Sequence, residues 1–348
     1  MTALPVPGPH RHAPPVRVRP DPPARITIPD RRRALQLVLG MLWLLDAALQ
    51  YQPYMFTKGF VSQVIKTSAA GNPPIIAGPI TWSADVMTQH IGACNAIFAT
   101  IQLLIAAGLL YRPTAKAALA ASIPWAIGVW WIGEGLSGIL TGTANPVTGA
   151  PGAVILYAFL ALLAWPPHPA QARPARPARS VATSGPPGRM LPLVLWAVLW
   201  GSLAGFALQP ANRSPNAISS MLSSMEPGEP GWIKAMDGFL AGVLRQHGTV
   251  ASIIIAALCG LAATAVASGR LTRAAVVLAA LLGALFWVAE DFGAIFTGQG
   301  TDPNSGLLLT VLAVAFWPFT ATQPRGPDHG WSGGAPQPMA GARGGRCR

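Results

Sequence analysis

"AALAASIPWAIGVWWIGEGLSGILTG", residues 117–142, decides the fold. It carries no charge from Ala117 to Gly133, then sets Glu134 among tryptophans and glycines. An apolar run of about 20 residues is what a helix needs to cross ~30 Å of hydrocarbon. An ionisable residue inside such a run is a functional position by default. The pattern recurs further on as "FWVAEDFGAIFTG", residues 286–298. Trp131 matches Trp287, Glu134 matches Glu290, and Thr141-Gly142 matches Thr297-Gly298.

The rest of the chain agrees with a membrane reading. Of its 348 residues 51% are apolar and 10% charged, and mean hydropathy is +0.43. Soluble domains carry about a quarter charged residues. Apolar runs predict eight spans, near 34–51, 90–111, 117–140, 152–165, 190–208, 248–268, 274–296 and 305–321. The fourth and the last are short. The net charge of +12 is accounted for without nucleic acid. With the N-terminus inside and eight crossings, only Lys58, Lys66, Arg213, Lys234 and Arg245 of the 24 Lys and Arg fall outside. That asymmetry obeys the positive-inside rule and places both termini in the cytoplasm. The expected location is the bacterial cytoplasmic membrane, with the lipid bilayer as the first partner.

The chain reads as a tandem duplication. Gln52-Pro53 recurs as Gln209-Pro210 and Gln89-His90 as Gln246-His247, each 157 residues on. "LLAWP", ending at Pro166, recurs as "VAFWP", ending at Pro318. Four spans per half give both halves one orientation, a parallel repeat about an axis along the membrane normal. The expected fold is therefore all-α and integral to the membrane, eight transmembrane helices as two parallel four-helix repeats. Repeat 1 covers 34–166 and repeat 2 covers 190–321. Residues 1–33 and 322–348 read as disordered cytoplasmic ends, and 167–189, rich in Pro, Ala and Arg, as an extended cytoplasmic linker. Arg31–Arg33 before an apolar run imitates a signal peptide, but the run has a counterpart in the second half and reads as a retained helix. Residues 54–67 set Met55, Phe56, Phe60, Val61, Val64 and Ile65 on one face, as an amphipathic helix on the outer surface does.

Helical rise places the repeated polar residues in depth. Glu134 lies ~27 Å beyond Lys116 and Glu290 ~26 Å beyond Arg273. His90, His247 and Gln52 fall ~29–35 Å from their nearest basic boundary. Glu134, Glu290, His90, His247, Gln52 and Gln209 thus form one candidate ligand or proton layer near the outer interface. Three chemistries fit it. His90, His247, Glu134 and Glu290 are suitable ligands for a divalent metal. The two histidines alone are suitable axial ligands for haem. The acids and histidines are also suitable for passing protons to a quinone or another small substrate. The structural alternative is that each Glu braces its Thr-Gly turn. Asp46 and Asp291 are further acids near the layer, without a repeated partner. Cys94, Cys259 and Cys347 form no zinc or disulfide pattern. No phosphate-binding loop, GxSxG or HExxH is present.

"LQLVLGMLWLLDAALQYQPYMF" (35–56) and "IQLLIAAGLLYRPTAKAALAA" (101–121) resemble the first two helices of the DoxX/DoxD-like membrane proteins. Those are small four-helix proteins, some of them subunits of a thiosulfate:quinone oxidoreductase and others partners in redox complexes. The resemblance covers each half. It implies a redox-associated subunit with a redox partner protein, and it assigns no catalytic residue. A small-solute transporter and a ligand-free structural or assembly protein are the alternatives. The apolar midplane counts against the transporter.

Overall fold

A computed structural model describes residues 28–166, 180–186, 188–225, 228–268 and 271–318. Most of the expected N-terminal segment, linker and tail lies outside these residues. The described residues form helices joined by turns, with no strand among them.

Among the described residues six helices are long and apolar enough to cross a membrane. They are α1 (Ile28–Gln50), α2 (Pro74–Leu110), α3 (Ala115–Ile132), α5 (Met190–Ala207), α8 (Gly248–Ala265) and α9 (Thr272–Ala289). This is the architecture of a multi-pass membrane protein. The fourth and eighth expected spans form α4 (Ala153–Ala164) and α10 (Asn304–Ala315), each 12 residues long. Twelve residues rise about 18 Å, short of the hydrocarbon thickness. Their apolar character goes into the core, since all but two residues of α4 are buried. Two further helices, α6 (Ala217–Met225) and α7 (Gly231–Leu244), pack on each other between α5 and α8.

In the first half α1 packs on α2 and α4, and α3 packs on both α2 and α4. In the second, α8 packs on α5 and α9, and α9 on α10. The halves meet where α4 packs on α10. Within the first half Trp43 packs at a tilt on Tyr157, ring centroids 4.4 Å apart, and within the second Trp196 packs likewise on Phe316 at 4.6 Å. A polar joint reinforces the seam. Asn145 donates to the Asn212 side-chain oxygen at 3.0 Å, and Asn212 donates to the carbonyls of Ala144 and Phe206 at 2.8 Å. Residues 144–147 are buried without being helical apart from a single turn at Pro146–Thr148, which packs on α5 and α9. Irregular backbone at depth is tolerated when protein covers it.

Three departures from expectation have physical causes. First, α1 begins inside the segment read as disordered. Arg32 is buried and its guanidinium donates to the carbonyls of Leu163, Trp165 and Val181 and to the Ser184 hydroxyl. Arg33 donates to the carbonyls of Leu109 and Leu110. These arginines therefore cap the C-terminal ends of α4 and α2, where helix carbonyls lack partners and the helix dipole favours a cation. Second, the end of the linker is folded, with Ser180, Val181 and Ala182 buried beside α4. Third, the expected surface helix forms over 58–68 with a π-helical middle at Val61–Ile65, and it packs on the protein. Its Phe60, Val61 and Ile65 pack with Met55 on Ile80, Ala84 and Met87 of α2. The apolar face thus caps the bundle.

Candidate functional site

The site is built at the ends of α3 and α9, where each helix stops in a left-handed turn. Gly135, Leu136, Ser137 and Gly138 all have positive φ, as do Asp291, Phe292, Gly293 and Ala294. A helix cannot propagate through such a run, and non-glycine residues there hold a sparsely populated conformation. The turn aims the preceding carboxylate at the start of the next helix. Glu134 accepts from the Val154 N–H at 3.1 Å and the Ser137 hydroxyl at 3.2 Å. Glu290 accepts from the Ser305 hydroxyl at 2.6 Å and the Gly306 N–H at 2.9 Å. Each acid satisfies first-turn amides of α4 or α10, which the helix leaves unbonded, and lies at the positive end of its dipole. The close fit makes Gly152 obligatory: a Cβ there would strike the Glu134 carboxylate, the Ser137 hydroxyl and Trp130.

Two other acids complete the group. Asp302 accepts from the Thr301 hydroxyl and the Asn304 N–H, both at 2.8 Å. Asp46 on α1 is buried and accepts from the Tyr157 hydroxyl at 2.8 Å. Burial first, then the negative charge of Asp302, pushes the Glu134 carboxyl up to about 8. Burial chiefly pushes Glu290 up to about 8, against the hydrogen bonds from Ser305 and Gly306. Burial likewise raises Asp302. Glu134 and Glu290 therefore hold protons at neutral pH.

Two cavities meet here. A polar cavity of about 560 Å³ lies between the halves, with Glu134, Glu290, Asp302, Asn145 and Asn304 in its wall. A second, of about 510 Å³, is walled mainly by first-half residues, among them Trp43, Phe60, Trp82, Phe98 and Trp125. Asp46, Gln50 and Gln102 are its deep polar residues. Val64, Glu134, Thr301 and Asp302 line both cavities. The carboxyls of Glu134 and Asp302 therefore stand at the junction of a polar space and an aromatic one. A volume near 500 Å³ with aromatic walls and few polar groups is typical of a small-molecule site.

The six residues expected to form one layer divide. Glu134 and Glu290 share the polar cavity. His90 is exposed, at a kink inside α2 with φ −130° and ψ 36°. His247 is exposed before α8, its Nδ1 2.7 Å from the Arg245 carbonyl oxygen. Neither histidine lines either cavity. Among the described residues no group of three or more His, Cys, Asp or Glu is placed to hold a metal ion. Gln52 and Gln209 precede one-turn helices at Pro53–Phe56 and Pro210–Asn212, with extended backbone as the following proline requires. The Gln52 side-chain oxygen approaches the Gly298 turn of the second half, 3.9 Å from where a Cβ would stand. Asp302, Tyr157, Gln50 and Gln102 were not foreseen. For Asp302 a signal existed: Asn145-Pro146 recurs as Asp302-Pro303, 157 residues on. Both side chains accept from the N–H two residues later at 2.8 Å.

Comparison with known protein families, with curated proteins and with solved structures finds no match.

Proposed function

We propose that this membrane protein binds a small lipophilic ligand of quinone type in the aromatic cavity and exchanges protons with it through Glu134 and Asp302. The observation that carries the reading is the pair of carboxyls at the junction of the two cavities. An aromatic cavity accepts a flat apolar ring. A carboxyl that keeps its proton at neutral pH donates a hydrogen bond to a carbonyl oxygen there, and the polar cavity gives it a route to bulk protons. Reduction of a quinone takes up two electrons and two protons. In this reading a partner redox protein brings the electrons and the two carboxyls relay the protons. That is the redox-associated role which the resemblance to the DoxX/DoxD-like proteins implies. The exposed histidines leave the haem and metal versions without geometric support.

The same proposal includes the topology. The two short helices, α4 and α10, complete two parallel four-helix repeats in a bacterial cytoplasmic membrane, with the Arg32 end of the bundle cytoplasmic. A transporter is the second reading, favoured by the contact between a polar and an apolar cavity. It predicts solute flux into proteoliposomes made from the protein alone.

The test is solvent extraction of protein purified in mild detergent, with mass spectrometry of the extract, and titration with the short-chain quinone menadione. A bound quinone, or menadione binding whose pH dependence vanishes in Glu134→Gln, is the expected result. No lipophilic molecule in the extract together with no menadione binding overturns it.

A further inference from the structure

Each half sets an amphipathic helix on its outer side, just ahead of a crossing helix. In the first half it is residues 74–89 of α2, before the bend at His90. Residues 91–110 rise about 30 Å and complete the crossing without it. In the second half it is α7, before the break at Gln246. Both helices follow a proline, Pro73 or Pro230, 157 residues apart. Both ends of each are held at the outer ends of crossing helices. The Trp131 indole, at the end of α3, donates to the Ile76 carbonyl at 3.4 Å, and the Asn72 amide donates to the Gly135 carbonyl at 3.2 Å. The other end runs into the crossing part of α2 at His90. In the second half Trp232 packs on Phe292 and Phe296 of the turn after α9, ring centroids 5.8 and 5.9 Å away, and Leu244 leads into α8. The two helices therefore run along the outer surface instead of projecting from it.

One face of each is packed on protein. Ile80, Ala84 and Met87 are buried, as are Ile233, Asp237 and Ala241. The exposed remainder has two sides. By helical rotation Ile75, Trp82 and Val86 form one stripe, with Thr81, Asp85 and Gln89 on the flank beside it. In α7 Trp232, Phe239 and Val243 hold the matching stripe positions, with Lys234, Gly238 and Gly242 on the flank. Ile75, Trp82, Trp232 and Phe239 are 78%, 70%, 56% and 70% exposed. Apolar stripes of this kind mark an interaction surface. We propose that the two helices are in-plane anchors in the outer leaflet, their stripes seated about 5–10 Å into the boundary of head groups and chains. Continuity favours lipid as the occupant. Beyond the bend α2 presents Ile97, Leu103 and Leu104, and beyond the break α8 presents Val250, Ile253 and Ile254, all exposed on crossing helices. Tryptophan suits that level, and the exposed Lys234 and Arg245 of the second half suit headgroup phosphates. This seating is independent of what the aromatic cavity binds. Because Trp82 and Val86 also line that cavity, its rim then stands in the outer leaflet.

The test is nitroxide scanning of the full chain in phosphatidylcholine vesicles. Cys94, Cys259 and Cys347 are changed to alanine, and single labels are placed with Ile75→Cys, Trp82→Cys and Phe239→Cys on the stripes and Thr81→Cys and Gly238→Cys on the flanks. Stripe labels should collide more with oxygen, which concentrates in lipid, and flank labels more with a water-soluble nickel chelate. Stripe labels that favour the nickel chelate overturn the proposal, since the helices then stand in water. Stripe labels shielded from both also overturn it, and point to a cover of protein, a second copy of the chain or another partner. Trp82→Phe and Trp232→Phe carry the same test if the cysteine-free protein does not fold. Each should remove tryptophan emission that is quenched by phosphatidylcholine brominated on its chains and spared by aqueous iodide. Loss of an iodide-quenched component instead overturns the anchoring.

Discussion

The turn after α3 and the turn after α9 do the same local work and differ in what surrounds them. Each ends an 18-residue helix in left-handed backbone and gives its acid to the start of a 12-residue helix. Glu290 is 1% exposed and both its oxygens are committed within its own half. Glu134 is half-buried and faces two cavities. The difference extends into the helices. The positions 157 residues beyond Asp46, Gln50 and Gln102 hold Leu203, Ala207 and Cys259, all buried. One half keeps polar groups around a space, and the other has apolar side chains at the matching places. The same capping geometry sits beside buried apolar side chains in one half and beside a candidate ligand site in the other.

The sharpest way to break this comparison is to remove each acid. Glu290→Leu strands a buried hydroxyl and a helix N–H, and should lower stability by roughly 3 kcal/mol. Glu134→Leu, in a wetter place, should lower it by about 1–2 kcal/mol and change ligand binding as well. Denaturation in mixed micelles measures both, and equal losses would mean that the two acids play one structural part. A glycine pair tests the fit around Glu134. Gly152 has φ 111° and no room for a Cβ, whereas Gly142 has φ 74° and open space around it. Gly152→Ala should destabilise by about 3 kcal/mol through clash and strain. Gly142→Ala should cost about 1 kcal/mol, the price of left-handed backbone alone.

Converting one half toward the other sharpens the comparison further. Gln50→Ala with Gln102→Cys copies second-half residues into the first. Removing two buried amides whose oxygens lack a partner should leave stability unchanged or raise it by up to ~1 kcal/mol. Menadione binding should be lost. A stability loss instead would show that the amides hold the fold, and the ligand reading of that wall would be wrong.

The crossing helices were legible in the sequence because long apolar runs have few other uses. The two acids were legible because they recur in one frame. The fate of the short runs was not, since a 12-residue apolar helix reads alike whether lipid or protein covers it. The histidines show what repetition can hide. His90 and His247 mark the place where an outer helix meets a crossing helix, as a kink in one half and a break at Gln246, φ 66°, in the other. Both recurrences coincide with a backbone junction. Asp302 was missed for the opposite reason. Its partner is Asn145, a shape match that a search for identical residues passes over, although both make the same turn. The aromatic cavity itself was out of reach, because it depends on residues of α1, α2 and α3 lining one space.

The smallest predicted effect is a slope with pH. Glu134 and Glu290 ordinarily lose their protons near 4.5 and in the folded protein hold them to about 8. Between those values the folded state binds more protons than the unfolded one, so stability falls as pH rises. The contribution is complete below about 4.5 and lost as pH passes 8. Unfolding measured from pH 5 to 9 should therefore show a declining limb that each Glu→Gln substitution flattens in part. Because Asp302 adds to the burial of Glu134 and weighs little on Glu290, Asp302→Asn should move the Glu134 limb to lower pH and barely touch the other. An equal shift of both limbs would mean that the two acids titrate as one group across the polar cavity, and the distinction between the halves would then lie in the aromatic cavity alone.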